Sequence, residues 1–443
     1  MNSGESTSFA EKVRGMAALE VLGRVSGVTG PVVRARGVNA VVGQQVNLWP
    51  GGDGDPIDAE VIGLNGDTVL LMALGPLEGV GPGSQVSVCG DDPRVFVGEG
   101  LLGRVIDGLG KPLDGRPLPP LQHRRSLRGG SPSPLRRSRI TEPFSTGVRV
   151  VDAMLTVGRG QRLGIFAGPG IGKSTLMGMM AKNATADICV VALVGERGRE
   201  VREFVEDAIN EKNRSRTIVV ASTGDEAPLA RIHAGLMATT IAEYFRGEGN
   251  QVLLLFDSLT RYAMALREVG LAGGELPASK GYPPSVFVEL SRILERAGND
   301  AKGGITGIYT VLVEGDDMTD PVADSTQALL DGHVVLSRDM ANRGVLPAVD
   351  VLRSTSRLMN QVVPRDYIEI TRQAISVIAA HRQAEDLIRI GAYKKGSDPA
   401  VDRAVRFMPL FEGFVGQDME QSSSIEEASH DLKALLGRLN SGR

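Results

Sequence analysis

The 443-residue sequence predicts an α/β fold, in which a mostly parallel sheet follows a small closed β-structure and precedes a helical tail. Three observations carry this expectation. Between residues 145 and 358 apolar runs of strand length alternate with helical stretches. Residues 21–93 consist of short β-runs broken by glycine and proline. From residue 359 onward apolar residues recur at three- and four-residue steps instead.

Residues 1–20 are polar apart from Phe9, Val13, Met16 and Ala17, a pattern open to a short amphipathic helix or an untethered terminus. The runs VLGRVSGVTGPVVRA, VNAVVGQQVNLW, DAEVIGLNGDTVLLMAL and GSQVSV then alternate with period two, as strands of a closed β-domain would. Residues 94–144 read as a linker. Within it, His123–Arg139 holds six arginines, two prolines and no acidic residue. That segment is open to two readings, a solvated connection or a contact with acidic lipid or RNA.

The core strands are RLGIFAG, ICVVALVG, RTIVVAST, QVLLLFDS and GIYTVLVE, with helices such as 174–184 and 199–210 between them. In the tail, Tyr367, Ile370, Ala374, Val377, His381, Ala384 and Ile388 form one helix face, and Gly391 is placed to end it. Asp398-Pro399 starts another helix, with aspartate as N-cap and proline at the first helical position. Ser424 and Glu427 match a capping box before Leu432, Leu435 and Leu436.

Composition narrows the function classes. Hydrophobic residues at 42% and charged residues at 23% suit an ordinary soluble protein, and a net charge of −4 gives no global attraction to nucleic acid or acidic membrane. Cys89 and Cys189 lie far apart, which argues against a disulfide framework, and the five histidines are scattered. No apolar stretch approaches the roughly 20 residues of a membrane span, and the first residues lack the order of a signal peptide. A cytoplasmic protein is expected.

Strand RLGIFAG runs into Ala167, Gly168, Pro169, Gly170, Ile171, Gly172, Lys173, Ser174 and Thr175, where a helix begins. Glycines let the backbone curl so that its N–H groups face phosphate oxygens. Lys173 would reach the β- and γ-phosphates and the Ser174 hydroxyl would ligate Mg²⁺. The formal pattern wants glycine where Ala167 stands. Gln251–Asp257 is an apolar strand ending in a carboxylate, which would hold the Mg²⁺ shell, although aspartates often end strands. Glu196, after the strand ICVVALVG, is open to two readings: the base that orients or deprotonates the attacking water, or a solvated helix start.

The P-loop segment, GERGREV (195–201), LLLFDSLTR (253–261) and PAVDVLRSTSR (347–357) follow the order seen in the rotary ATP synthase α/β family, which the chain resembles over nearly its whole length. The resemblance implies a RecA-like P-loop core with an N-terminal β-barrel and a C-terminal helical domain. By it Glu196 is the catalytic glutamate and Arg197 a phosphate-proximal arginine. Arg357 is an arginine finger for a neighbouring subunit, against the alternative of an internal salt bridge to the helical tail. Leu346 stands where catalytic synthase subunits place an adenine-stacking tyrosine.

Within the family, Pro277–Phe287 and Asp386–Val405 resemble the type III export ATPases, and the IGAY form at 390–393 resembles their flagellar branch more than the injectisome branch. That resemblance implies a homohexamer hydrolysing ATP with Mg²⁺ at the cytoplasmic face of the inner membrane. Its implied partners are an export-apparatus regulator on the N-terminal arm, stalk proteins and chaperone-bound export substrates, with acidic lipid as a further contact and no nucleic acid. The alternatives are an injectisome ATPase, a catalytic subunit of a rotary proton ATPase, an RNA-translocating hexamer, or a non-catalytic partner subunit. The last would be expected to lack the base, whereas Lys173, Glu196, Asp257 and Arg357 are all present.

Overall fold

Alternation of inward apolar and outward polar residues closes the first domain. The structure is a computed structural model that describes residues 22–51, 54–90 and 93–440. The expected N-terminal arm, residues 1–20, lies outside them. Strands β1 (Gly23–Thr29), β2 (Val32–Arg36), β3 (Gln45–Trp49), β4 (Ile57–Asn65), β5 (Thr68–Ala73) and β6 (Gln85–Gly90) form a closed barrel in the order β1-β2-β5-β4-β3-β6. Its interior is filled by Val25, Val33, Ala35, Val46, Leu48, Ala59, Val61, Val69, Leu71, Ala73 and Val86. Closure leaves no unpaired strand edge. Gly66, at a φ of 60°, makes the tight turn between β4 and β5. The barrel belongs to one compact unit, the described residues up to Pro93 with 227–229 and 268–276; the remaining described residues form a second.

The second unit is built on a nine-stranded sheet. Its main strands are β7 (Val105–Ile106), β8 (Arg162–Ala167), β9 (Ile188–Glu196), β10 (Thr217–Thr223), β11 (Gln251–Asp257), β12 (Gly304–Leu312), β13 (Gly332–Val335) and β14 (Thr355–Ser356). They run in the order β14-β13-β8-β12-β11-β9-β10-β7, parallel except for β14. Helices on both faces bury such a sheet completely, so its strands read as unbroken apolar runs. All nine residues of β9 are buried, Cys189 among them.

Helices Arg365–Arg389, Pro399–Val415 and Ile425–Asn440 form the tail. Their expected stops and starts are realised in hydrogen bonds. Gly391 adopts a φ of 70°, and Asp398 accepts from the N–H groups of Ala400 and Val401. Ser424 and Glu427 exchange backbone-to-side-chain bonds of 2.9 and 3.2 Å.

The 94–144 segment, whose arginine-rich part is open from sequence to reading as a solvated connection or as a contact with acidic lipid or RNA, is held by several bonds within the second unit. Strand β7, within residues 94–144, joins the sheet edge beside β10. Further on, Arg137 donates to the Ala297 carbonyl (2.8 Å), the Glu295 carbonyl and the Glu295 carboxylate (3.1 Å), while Arg296 donates to the Leu127 carbonyl. Arg124 lies over the Phe96 ring. An arginine fork binds several acceptors at once, which suits it to tying a loop to the end of a helix. Arg125, Arg136 and Arg139 remain exposed. Arg137→Ala should therefore free the segment, seen as faster tryptic cleavage after Arg136 and Arg139. An unchanged cleavage rate in limited proteolysis would mean that Arg137 does not hold it.

Candidate active site

The site is assembled where parallel strands end together. Strand β8 leads into Gly168–Gly172, and helix α1 (Lys173–Asn183) follows. Gly170 and Gly172 have φ values of 75° and 94°, which only glycine adopts without strain, and buried Ile171 pins the loop to the core. No side chain caps α1, so the N–H groups of its first turn stay open to an anion. Ser174 is exposed and Thr175 half-buried on that turn.

Lys173, first in the helix, turns inward with its side chain 10% exposed. Its ammonium forms an ion pair with Asp257 Oδ1, at the end of β11, and lies 3.6 Å from Glu196 Oε1, at the end of β9. Thr310 donates to Asp257 Oδ1 at 2.6 Å, and Arg261 Nε donates to Glu196 Oε1 at 3.1 Å. Two cations and two carboxylates thus share one partly buried cluster. Burial raises the Glu196 carboxyl above the ordinary glutamate range and the Asp257 charge raises it further; Lys173 and Arg261 pull it back.

Arg197, expected near the phosphates, points elsewhere. It is the residue before helix 198–208, its side chain is 77% exposed, and it pairs with Glu200 at 3.2 Å. Arg261 reaches Glu196 in its stead. It was legible only as the last residue of LLLFDSLTR, four places after Asp257 and thus in the first turn of the next helix.

Arg357 is not brought to this cluster. Its N–H donates to the Asp331 carbonyl at 3.0 Å, and the Asp331 N–H donates to the Arg162 carbonyl. Arg357 is therefore level with the start of β8, whereas the P-loop follows its end, about 17 Å along the strand at about 3.3 Å per residue. Its side chain is exposed, and among the described residues no hydrogen bond or ion pair engages its guanidinium. On the other side of the P-loop from Glu196, Leu346 is 43% exposed, its Cδ2 3.7 Å from where a Cβ on Gly172 would stand. Arg338 donates to the Pro169 carbonyl there.

Residues 147–356 match the nucleotide-binding domain of the ATP synthase alpha/beta family, and residues 25–90 its beta-barrel domain. The chain belongs to the ATP synthase alpha/beta family. Residues 363–434 of this family member match the T3SS EscN ATPase C-terminal domain. It is 46% identical over 416 residues to the flagellum-specific ATP synthase of Bacillus subtilis, covering 94% of this chain and 95% of that one. It is also similar to the assembled ATPase EscN of the enteropathogenic E. coli type III secretion system, with a TM-score of 0.89 at 43% identity over 94% of this chain and all of EscN. A second EscN structure, in complex with its central stalk EscO, matches with a TM-score of 0.85 at 42% identity over the same shares.

The raised Glu196 carboxyl has a consequence for stability. A carboxyl whose value rises on folding favours the native state while protonated, so its contribution is full at low pH and is lost as pH rises through the folded value. Glu196→Gln removes that loss. Without nucleotide, the melting temperature of Glu196→Gln relative to the parent should climb between pH 4.5 and pH 8. A difference that stays flat or falls over that range would contradict the burial argument.

Proposed function

We propose that this family member is the ATP hydrolase of a flagellar type III protein export apparatus, working as a homohexamer in chaperone release, unfolding and delivery of export substrates. The observation that carries the reading is the convergence of Lys173, Asp257 and Glu196 beneath an uncapped helix start. An arriving triphosphate takes the open N–H groups of Gly170–Thr175 and draws Lys173 away from Asp257 onto its β- and γ-phosphates. The freed Asp257 carboxylate and the Ser174 hydroxyl are hard oxygen donors that fit Mg²⁺, which when bound neutralises phosphate charge.

Glu196 orients water and accepts its proton. A general base works best near the operating pH, and the raised carboxyl moves Glu196 toward it. Arg261 fixes the carboxylate's orientation. Arg357, at the far end of its own sheet, serves the site of the adjoining subunit. EscN, solved assembled and with its central stalk, supports the hexamer and a stalk partner for this chain. The flagellar assignment rests on Ile390–Tyr393 and on the Bacillus relative.

No helix among the described residues is long and apolar enough to cross a membrane, in keeping with a peripheral place on the cytoplasmic side of the inner membrane. Acidic lipid would meet the exposed Arg125, Arg136 and Arg139, and a regulator would bind residues 1–20.

Lys173→Ala should abolish ATP hydrolysis. Glu196→Gln should bind nucleotide normally yet turn over about 10²–10⁴-fold more slowly; near-normal turnover would remove Glu196 as the base. Arg357→Ala should lose roughly 10³–10⁵ in rate. Mixed from monomers with Lys173→Ala subunits, it should regain part of the activity, since some interfaces then pair an intact P-loop with an intact arginine. Mixed hexamers that form and stay inactive would rule out action across the interface.

A further inference from the structure

The serine-rich segment before Arg357 has no role in the nucleotide site, and its hydroxyls point to a different task. Strand β14 is only two residues long and lies at the sheet edge, pairing Ser356 with Gly332 and Thr355 with His333. A two-residue edge strand gives the next residue little backbone anchorage. Side chains supply the rest. Ser354 Oγ accepts from the Val335 N–H (2.9 Å) and donates to the Asp350 carbonyl (2.6 Å). Ser356 Oγ donates to the Thr156 carbonyl (2.8 Å) and accepts from Gln161 Nε2 (3.1 Å).

Gln161 is fully buried, and its amide is engaged at both ends. Nε2 donates to Ser356 Oγ and to the Asp331 carbonyl (3.2 Å), while Oε1 accepts from the Gly158 N–H (2.8 Å). The Asp331 carbonyl is the group that accepts the Arg357 N–H, and Ser356 is the residue before Arg357. One amide therefore braces the arginine's backbone through both of its immediate supports. Gln161 also directly precedes β8, whose other end opens into the P-loop.

We propose that Gln161 is a positioning residue for Arg357, setting the guanidinium at the subunit edge and joining it through β8 to the phosphate loop of its own chain. The proposal rests on the reading of Arg357 as a group that acts on a neighbour's nucleotide. Strand β8 then carries the subunit's own phosphate loop at one end and the anchor of the arginine it lends at the other. The competing account makes Gln161 a buried amide that only satisfies the 158–161 turn. A misplacement of about 1 Å at a reacting centre costs on the order of 10²-fold in rate, so the two accounts differ measurably.

The test uses Gln161→Met, of similar length but without the amide, and Ser356→Ala, which leaves the Gln161 bonds to Asp331 and Gly158 in place. Each full-length protein is assayed for ATP hydrolysis alone and after mixing from monomers with Lys173→Ala or Arg357→Ala subunits. Gln161→Met should lose about 10- to 100-fold in kcat while its KM for ATP stays within about twofold. Mixing with Lys173→Ala, whose arginine support is intact, should restore activity, and mixing with Arg357→Ala should not. Ser356→Ala should follow the same pattern more weakly, and Ser356→Thr, which keeps the hydroxyl, should recover. Unchanged kcat in Ser356→Ala overturns the proposal, and so does a Gln161→Met loss that Lys173→Ala cannot complement while the Arg357→Ala and Lys173→Ala pair does. If that control pair is itself inactive, the reading of Arg357 has failed and the proposal falls with it.

Discussion

A lysine ammonium with only a tenth of its side chain exposed must find anionic partners, and Lys173 finds two in carboxylates that end neighbouring strands. That requirement orders much of the second unit. A parallel sheet delivers every strand's carboxyl end to one edge, so residues 173, 196 and 257, far apart in sequence, meet there without any special loop. The uncapped start of α1 adds a partial positive charge at the same edge. The ion pairs of this cluster join residues of the sheet's own strand ends and of the helices that follow them.

The same geometry separates two kinds of residue. Groups at or just after strand ends, Lys173, Glu196, Asp257 and Arg261, gather in one ion-paired cluster. Arg357 follows the edge strand β14, which runs antiparallel to its neighbour and so exits at the opposite edge of the sheet. Reversal of that single strand removes the arginine from its own subunit's site. The Arg357 guanidinium is exposed at that edge, in keeping with the proposed action on an adjoining subunit.

What was legible in the sequence was local. Glycine spacing marked Gly168–Gly172, strand length marked Asp257, and the caps at Asp398 and Ser424 were readable because each depends on residues two or three places away. The arginines were harder. Arg137 looked solvated because its partner Glu295 lies 158 residues later, and no local pattern announces such a pair. Arg197 and Arg261 both follow a strand-ending carboxylate. Only the rotation of the following helix decides which one faces inward, and that is set by packing of the whole helix. Gln161 gave no signal, since a glutamine before a strand usually lies on the surface.

Charge balance links these observations. Lys173 and Arg261 offset Glu196 and Asp257, so the cluster is near neutral before nucleotide arrives. A triphosphate brings several negative charges into a partly buried place, where uncompensated charge is costly. The arginine that follows Glu196, Arg197, is exposed and weakly held by Glu200. On the proposed reading the balance is completed by a divalent ion at Asp257 and Ser174 and by an arginine from an adjoining subunit. On that reading an isolated subunit binds nucleotide, and the negative charge that develops on the transferring phosphoryl group is met by an arginine of the adjoining subunit, so that turnover belongs to the ring.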